Sequence, residues 1–281
     1  MVRLNHLTKA YQGFQLDITM EVPKGRVTGI IGRNGAGKTT TLKSILGLIR
    51  PDGGEIEVLG KHPSDFTPED KLQIGSALAE AGFCASFDIR DVIRILKAFY
   101  PNFDEGAFRN TCNDQSLPLN KKIRDFSSGM KAKLRVLVAM SHAARLLVLD
   151  EPTAGLDVIA RNDVLTLIRK YIEEDPERSV IISSHISSDL EGLCDDLYMI
   201  DDGKVILHED TDTILGSYAL IKVSPEDFES LDQRYILASE KDRFSVTCLT
   251  SEKQFYLENY PKAVIENAHI DDIIVMMLGG K

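Results

Sequence analysis

The run Gly32-Arg33-Asn34-Gly35-Ala36-Gly37-Lys38-Thr39 constrains the chain more than any other segment. It fits GxxxxGK[ST], and its flanks matter as much as its residues. Arg26 to Ile31 before it is β-rich. Thr39 to Arg50 after it has helical spacing, with Leu42, Ile45, Leu46 and Ile49 on one face. A glycine loop between a strand and a helix start lets backbone N–H groups turn inward on an anion, and the helix directs its positive end the same way. Lys38 is then placed to reach β- and γ-phosphates, and the Thr39 hydroxyl to ligate Mg²⁺, with Thr40 grouped among the nucleotide contacts. Average residue usage produces such a pattern by chance in roughly one chain in a hundred of this length. The strand-to-helix context lowers that further.

Elsewhere the pattern is that of a layered α/β chain. Pro51 is expected to end the helix after the loop, and PDGG turns the chain into the strand EIEVLG. From about Leu72 to Ala144 the spacing reads as helical. DIRDVIRILKAFY opens on an Asp cap, and SSGMKAKLRVLVAMSHAA carries Leu134, Leu137, Val138 and Met140 at helical intervals. RLLVLD and SVIISS are apolar runs of the buried-strand type, separated by a helix from about Leu156 to Glu174. Apolar strands alternating with helices imply a parallel sheet covered on both faces. LYMI and KVILHE, joined by Asp201-Asp202-Gly203, read as a hairpin. Beyond Gly216 the runs ALIKV, FSVTCL and AVIE alternate with short acidic helices and end in HIDDIIVMMLGG, a small α+β appendage.

Charge and cysteines narrow the classes. A net charge of -10 argues against a bulk electrostatic grip on nucleic acid, so none is expected as a partner. The four cysteines have no CxxC spacing, which points to reduced thiols and neither a disulfide framework nor a zinc site. No stretch reaches the roughly 18 to 20 apolar residues that span a bilayer, and the first twenty residues lack the apolar core of a signal peptide. A membrane process would need a partner to supply the membrane part.

Asp150 and Glu151 close the apolar run LLVLDE. In a doubly wound sheet the carboxyl ends of strands meet the ligand crevice, so Asp150 is placed to hold Mg²⁺ and Glu151 to polarise an attacking water. Taken alone, the pair reads equally as a strand capped by an acidic turn. Ser127-Ser128-Gly129, ahead of a basic helix, is by its residues a helix cap.

Together, the loop Gly32–Thr39, the stretch FSSGM at 126–130, LLVLDE, Asp157 in AGLD and His185 in IISSHIS resemble an ABC transporter nucleotide-binding domain over residues 2 to about 215. The resemblance implies a P-loop NTPase fold with a parallel core sheet, an N-terminal antiparallel β region and a helical subdomain over about 76–144. It also implies residues 1–216 as that domain, with 217–281 as a small accessory one. Two such domains would enclose ATP head to tail, so that Ser127 and Gly129 meet the γ-phosphate of the partner's ATP, with Ser128 grouped among the nucleotide contacts. Asp157 would report across that interface, and His185 would bond the γ-phosphate and orient water beside Glu151. Tyr11 matches the position that stacks on adenine. His6, His62, His142, His208 and His269 keep structural readings.

The sequence departs from the family in two places. The commonest signature, LSGGQ, is FSSGM here. The Gln that usually ligates Mg²⁺ is missing; Ala79 stands at its position and Glu80 beside it, either as a substitute metal ligand or as a solvated helix-start residue. The apolar run Gly82 to Phe87 reads either as local core under the helical subdomain or as a surface that receives a membrane partner's coupling helix. AFYPNFDEGAF is similar to exporters of antimicrobial and amphipathic peptides, including bacitracin and phenol-soluble-modulin exporters. The resemblance therefore implies an Mg-ATPase subunit, a second nucleotide-binding subunit and a separate membrane permease. It implies a cytoplasmic position at the inner face of the membrane. A soluble ABC-type ATPase or a nucleotide switch without transport is the alternative.

Overall fold

The structure is a computed structural model that describes residues 1–80 and 82–279. Strands β1 (Val2–Tyr11) and β2 (Phe14–Val22) form an antiparallel hairpin, followed by β3 (Val27–Ile31), α1 (Lys38–Ile45) and β4 (Gly53–Val58), which pairs antiparallel with β1. The helix α1 ends earlier than Pro51 suggests. Gly47 has φ +69°, Gly47 N–H donates to Ser44 O, and Leu48 N–H donates to Lys43 O, which is the hydrogen-bond pattern of a glycine helix stop.

Next come α2 (Pro68–Lys71), β5 (Ile74–Ala77), α3 (Ile89–Phe99), α4 (Glu105–Asp114) and α5 (Ser128–Met140). Then follow β6 (Leu146–Asp150), α6 (Val158–Glu173), β7 (Ser179–Ser184) and α7 (Ser187–Glu191). The hairpin of β8 (Asp196–Asp201) and β9 (Lys204–Asp210) is antiparallel, as its Asp-Asp-Gly turn predicts. Among the described residues the main sheet has nine strands in the order β4-β1-β2-β9-β8-β3-β7-β6-β5. β5, β6, β7, β3 and β8 run parallel.

Sequence-adjacent residues of the core strands point to opposite faces. Leu146 and Val148 pack with Leu42 and Ile45 of α1, whereas Leu147 and Leu149 pack with Val136 and Ala139 of α5 and Val164 and Ile168 of α6. Every residue of β3, β6 and β7 is buried, which explains why these strands are mostly apolar on both faces. β5 was hidden in a stretch that reads as helical. IGSA is too short to show alternation, and it forms a strand because it pairs with β6 at the sheet edge.

Helices α3, α4 and α5 share a core of Ile89, Val92, Leu96, Phe108, Leu134 and Leu137, against which Phe83 and Phe87 pack. The apolar run is thus part local core, while Gly82, Cys84 and Ala85 are exposed. Asp88 and Asp91 close a capping box at the start of α3. The Arg90 guanidinium beside Asp88 holds its carboxyl well below the usual carboxylate range.

The rest comprises α8 (Thr211–Ser217), β10 (Ala219–Val223), α9 (Pro225–Ser230), β11 (Ile236–Lys241), β12 (Val246–Thr250), α10 (Lys253–Asn259), β13 (Val264–Asn267) and α11 (Ile270–Gly279). β11-β12-β10-β13 form an antiparallel sheet. β11 (ILASEK) is largely exposed and polar, which is why no strand is legible there. One face of this sheet carries Ile221, Val246 and Cys248, which pack with Tyr256 of α10. Leu220 and Leu249 join α11 (Ile273, Met276) and the main-domain residues Leu190 and Cys194 in one cluster. The appendage therefore shares a core with the main domain. Gly280 and Lys281, the end of the expected appendage, lie outside the described residues. All four cysteines are free, and burial pushes Cys112 up to about 12 and Cys248 to about 11.

Candidate ATP site and its relatives

The loop between β3 and α1 lines a cavity of about 240 Å³ with Arg33, Asn34, Gly35, Gly37, Lys38, Thr39 and Thr40, joined by Glu151 and Phe14. Glycine is required at two of its turns. Gly37 has φ +113°, and a Cβ there would meet Leu16 Cδ1 at 2.5 Å; at Gly32 a Cβ would meet the carbonyl oxygen of Ile200 at 2.2 Å. Ala36 is buried, and its carbonyl accepts from Gly203 N–H at 3.0 Å, so the β8–β9 turn anchors the loop.

Lys38 is buried, and its Nζ donates to Gly32 O at 2.7 Å. It also lies 3.2 Å from Glu151 Oε1. Thr39 Oγ1 donates to Asp150 Oδ2 at 2.9 Å. Glu151 adopts φ +48°, a conformation that a non-glycine residue rarely takes, and its Oε2 lies 2.6 Å from His185 Nδ1. Beyond His185, the buried Asp189 accepts from Thr153 and Arg161, tying α7 to the segment after Glu151. Strand ends β3, β6 and β7 thus bring Lys38, Thr39, Asp150, Glu151 and His185 together at one end of the sheet.

The chain that carries this phosphate loop, acidic strand end and following histidine is similar to known proteins. The ABC transporter family matches residues 16–154. The bacitracin transport ATP-binding protein BcrA of Bacillus licheniformis is 35% identical over 216 residues, which cover 73% of this chain and 68% of that one. The chain belongs to the ABC transporter ATP-binding proteins. It binds and hydrolyses ATP as an ABC ATPase. The ABC transporter ATP-binding protein YtrB of Bacillus subtilis strain 168 is 29% identical over an alignment of 297 positions, covering 100% of this chain and 99% of YtrB. A solved ATP-binding subunit of an ABC transporter superposes with a TM-score of 0.67 at 25% identity, over 76% of this chain and 91% of that one.

Other residues of this ABC ATPase stand apart from the cavity. Ser127 caps α5 by accepting from Met130 N–H at 3.2 Å, and Asp157 caps α6 by accepting from Ala160 N–H at 2.9 Å. The two helix starts touch, since a Cβ on Gly129 would lie 2.8 Å from Ala160 Cβ. They form one exposed edge with Ser127, Ser128, Asp157, Val158 and Ile159, none of which lines the phosphate-loop cavity. Tyr11 is 45% exposed and does not line it either; its ring lies 6.4 Å from that of Phe14, which does. Phe14 escapes a reading by position, although its place opposite Tyr11 across the hairpin was a usable signal. Glu80 is 75% exposed and pairs with Lys43 at 2.6 Å. Among the described residues, no hydrogen bond or ion pair joins it to Thr39 or Asp150. Arg135 Nη1 donates to the Ala79 carbonyl at 2.9 Å, and burial lowers the pKa of that guanidinium.

A second cavity of about 360 Å³ lies between Phe83, Ile123, Arg135 and Leu156.

Proposed function

We propose that two copies of this ABC ATPase, or one copy and a related subunit, close on ATP head to tail and drive a separate membrane permease. The division of residues carries this reading. Lys38, Thr39, Glu151 and His185 gather at the phosphate loop, whereas Ser127, Ser128 and Asp157 form an edge outside it, with Gly129 buried beneath between the two helix starts. Val158 and Ile159 on that edge are 70% and 76% exposed, apolar surface that a second subunit would cover. A hydroxyl and backbone N–H groups at a helix start suit a γ-phosphate presented by the partner. Size-exclusion chromatography tests it: ATP converts the Glu151→Gln variant from monomer to dimer, and added Ser127→Arg prevents that. A variant that stays monomeric with ATP sinks the composite site.

In this reading Thr39 and Asp150 hold Mg²⁺, because a hydroxyl and a carboxylate, both hard oxygen donors, already converge at 2.9 Å. The ion offsets charge on the phosphates. Lys38 and the loop amides bind the same phosphates, Glu151 orients and deprotonates the attacking water, and His185 steadies Glu151 and the γ-phosphate.

No helix among the described residues is long and apolar enough to cross a membrane. In this reading the permease is a separate chain and this subunit sits at its cytoplasmic face. BcrA is a bacitracin transport protein by name, which supports peptides or other amphipathic compounds as the exported class. Copurification with a polytopic partner, and loss of resistance to such peptides on deleting the gene, check this.

Residues 217–281 are in this reading an accessory unit, regulatory or dimerising, with the boundary in the last turn of α8. Arg33 Nη2 donates to Leu278 O at 3.4 Å, and Glu191 Oε1 accepts from Ile270 N–H at 3.3 Å. Both ends of α11 thus bear on the catalytic domain, one of them on the phosphate loop itself.

A further inference from the structure

Ser183 sits inside β7, a strand whose other interior residues Val180, Ile181 and Ile182 are aliphatic. It is fully buried, in register between Ile30 of β3 and Asp150 of β6. Burying a hydroxyl where an aliphatic side chain suits the strand is unfavourable unless its bonds are made. Among the described residues they are made to the two acidic residues alone. Ser183 Oγ donates to Asp150 Oδ1 at 2.6 Å and accepts from Glu151 N–H at 3.0 Å.

Each bond settles a different degree of freedom. Asp150 has two carboxylate oxygens, and Thr39 holds Oδ2. With Ser183 on Oδ1, the carboxylate plane cannot rotate. Glu151 sits at φ +48°, a backbone state that persists only when its surroundings enforce it. Its N–H is shared between Ser183 O at 3.1 Å and Ser183 Oγ, so one residue supplies both acceptors.

We infer that Ser183 is a positioning residue for ATP hydrolysis: its hydroxyl orients Asp150 toward the metal position and holds the Glu151 backbone so that its carboxylate reaches Lys38 and His185. The inference rests on the proposed roles of Asp150 and Glu151. Outer residues that orient metal ligands and bases typically change metal affinity or activity by about 10- to 100-fold.

The test compares Ser183→Thr with Ser183→Val, which have nearly the same shape and differ in the hydroxyl. The expected result is that the Thr variant keeps kcat and metal affinity within about threefold of the parent. The Val variant loses about tenfold or more in both. Metal affinity is read as Mn²⁺ binding by electron paramagnetic resonance with a non-hydrolysable ATP analogue, independently of turnover. ATP binding in EDTA stays equal in the two variants, because Lys38 and the loop are untouched. Equal kcat and equal Mn²⁺ affinity for Thr and Val overturn the inference, as does a Val defect confined to metal-free ATP binding. The parent reading fails separately, if Glu151→Gln keeps normal turnover.

Discussion

His185 Nδ1 lies 2.6 Å from Glu151 Oε2, a bond between the ends of two neighbouring parallel strands. The other oxygen of that carboxylate is 3.2 Å from Lys38 Nζ. Glu151 thus stands between Lys38 of the phosphate loop and the histidine that follows the next strand. In the proposed reading, a γ-phosphate entering the cavity would compete with Glu151 for Lys38 and free the carboxylate to face water.

Removing the base should separate binding from turnover. Glu151→Gln is expected to bind ATP with near-parent affinity while kcat falls by about 10²- to 10⁴-fold, the usual contribution of a general base. Phosphate release measured under saturating Mg-ATP decides it, and near-normal turnover removes Glu151 from that role.

Asp150→Asn should act through the metal. Mg²⁺ titrations of ATPase activity are expected to shift to higher concentration by about tenfold or more, with ATP binding in EDTA little changed. An unshifted titration would move the Mg²⁺ assignment away from Thr39 and Asp150.

The adenine contact can be assigned between two rings. Tyr11 and Phe14 face each other across the hairpin, and only Phe14 lines the cavity. Base–aromatic stacking is worth roughly 1–3 kcal/mol, so loss of the stacking ring should raise KM for ATP about 5- to 150-fold with kcat unchanged. Comparing Tyr11→Ala with Phe14→Ala shows which ring it is; if neither moves KM, the adenine lies elsewhere.

Ile273 of α11 is fully buried in the core shared with Leu190 and Cys194. Ile273→Ala is expected to cost about 2–5 kcal/mol of stability in denaturant unfolding. Arg33→Ala should leave stability nearly unchanged and alter the ATPase rate, because it cuts the tie to Leu278 and removes a side chain that lines the cavity. An unaltered rate in Arg33→Ala, together with unchanged activity and oligomeric state after deletion of residues 217–281, would leave the appendage without a regulatory role.

Local chemistry determined much of this molecule before any folding was considered. The glycines and Lys38-Thr39 between a β-rich run and an amphipathic one specify a phosphate loop, because backbone freedom and helix polarity are local properties. The apolar runs at 146–149 and 180–182 specify buried parallel strands for a similar reason. What the sequence could not decide depends on which strands become neighbours. The register of β7 against β6 sets Ser183 beside Asp150, pairing with β6 makes a strand of Ile74–Ala77, and the packing of α11 on Leu190 carries Leu278 to Arg33. These contacts join residues far apart in the chain. Their energies come from burial and hydrogen bonds that exist only once the layers have closed.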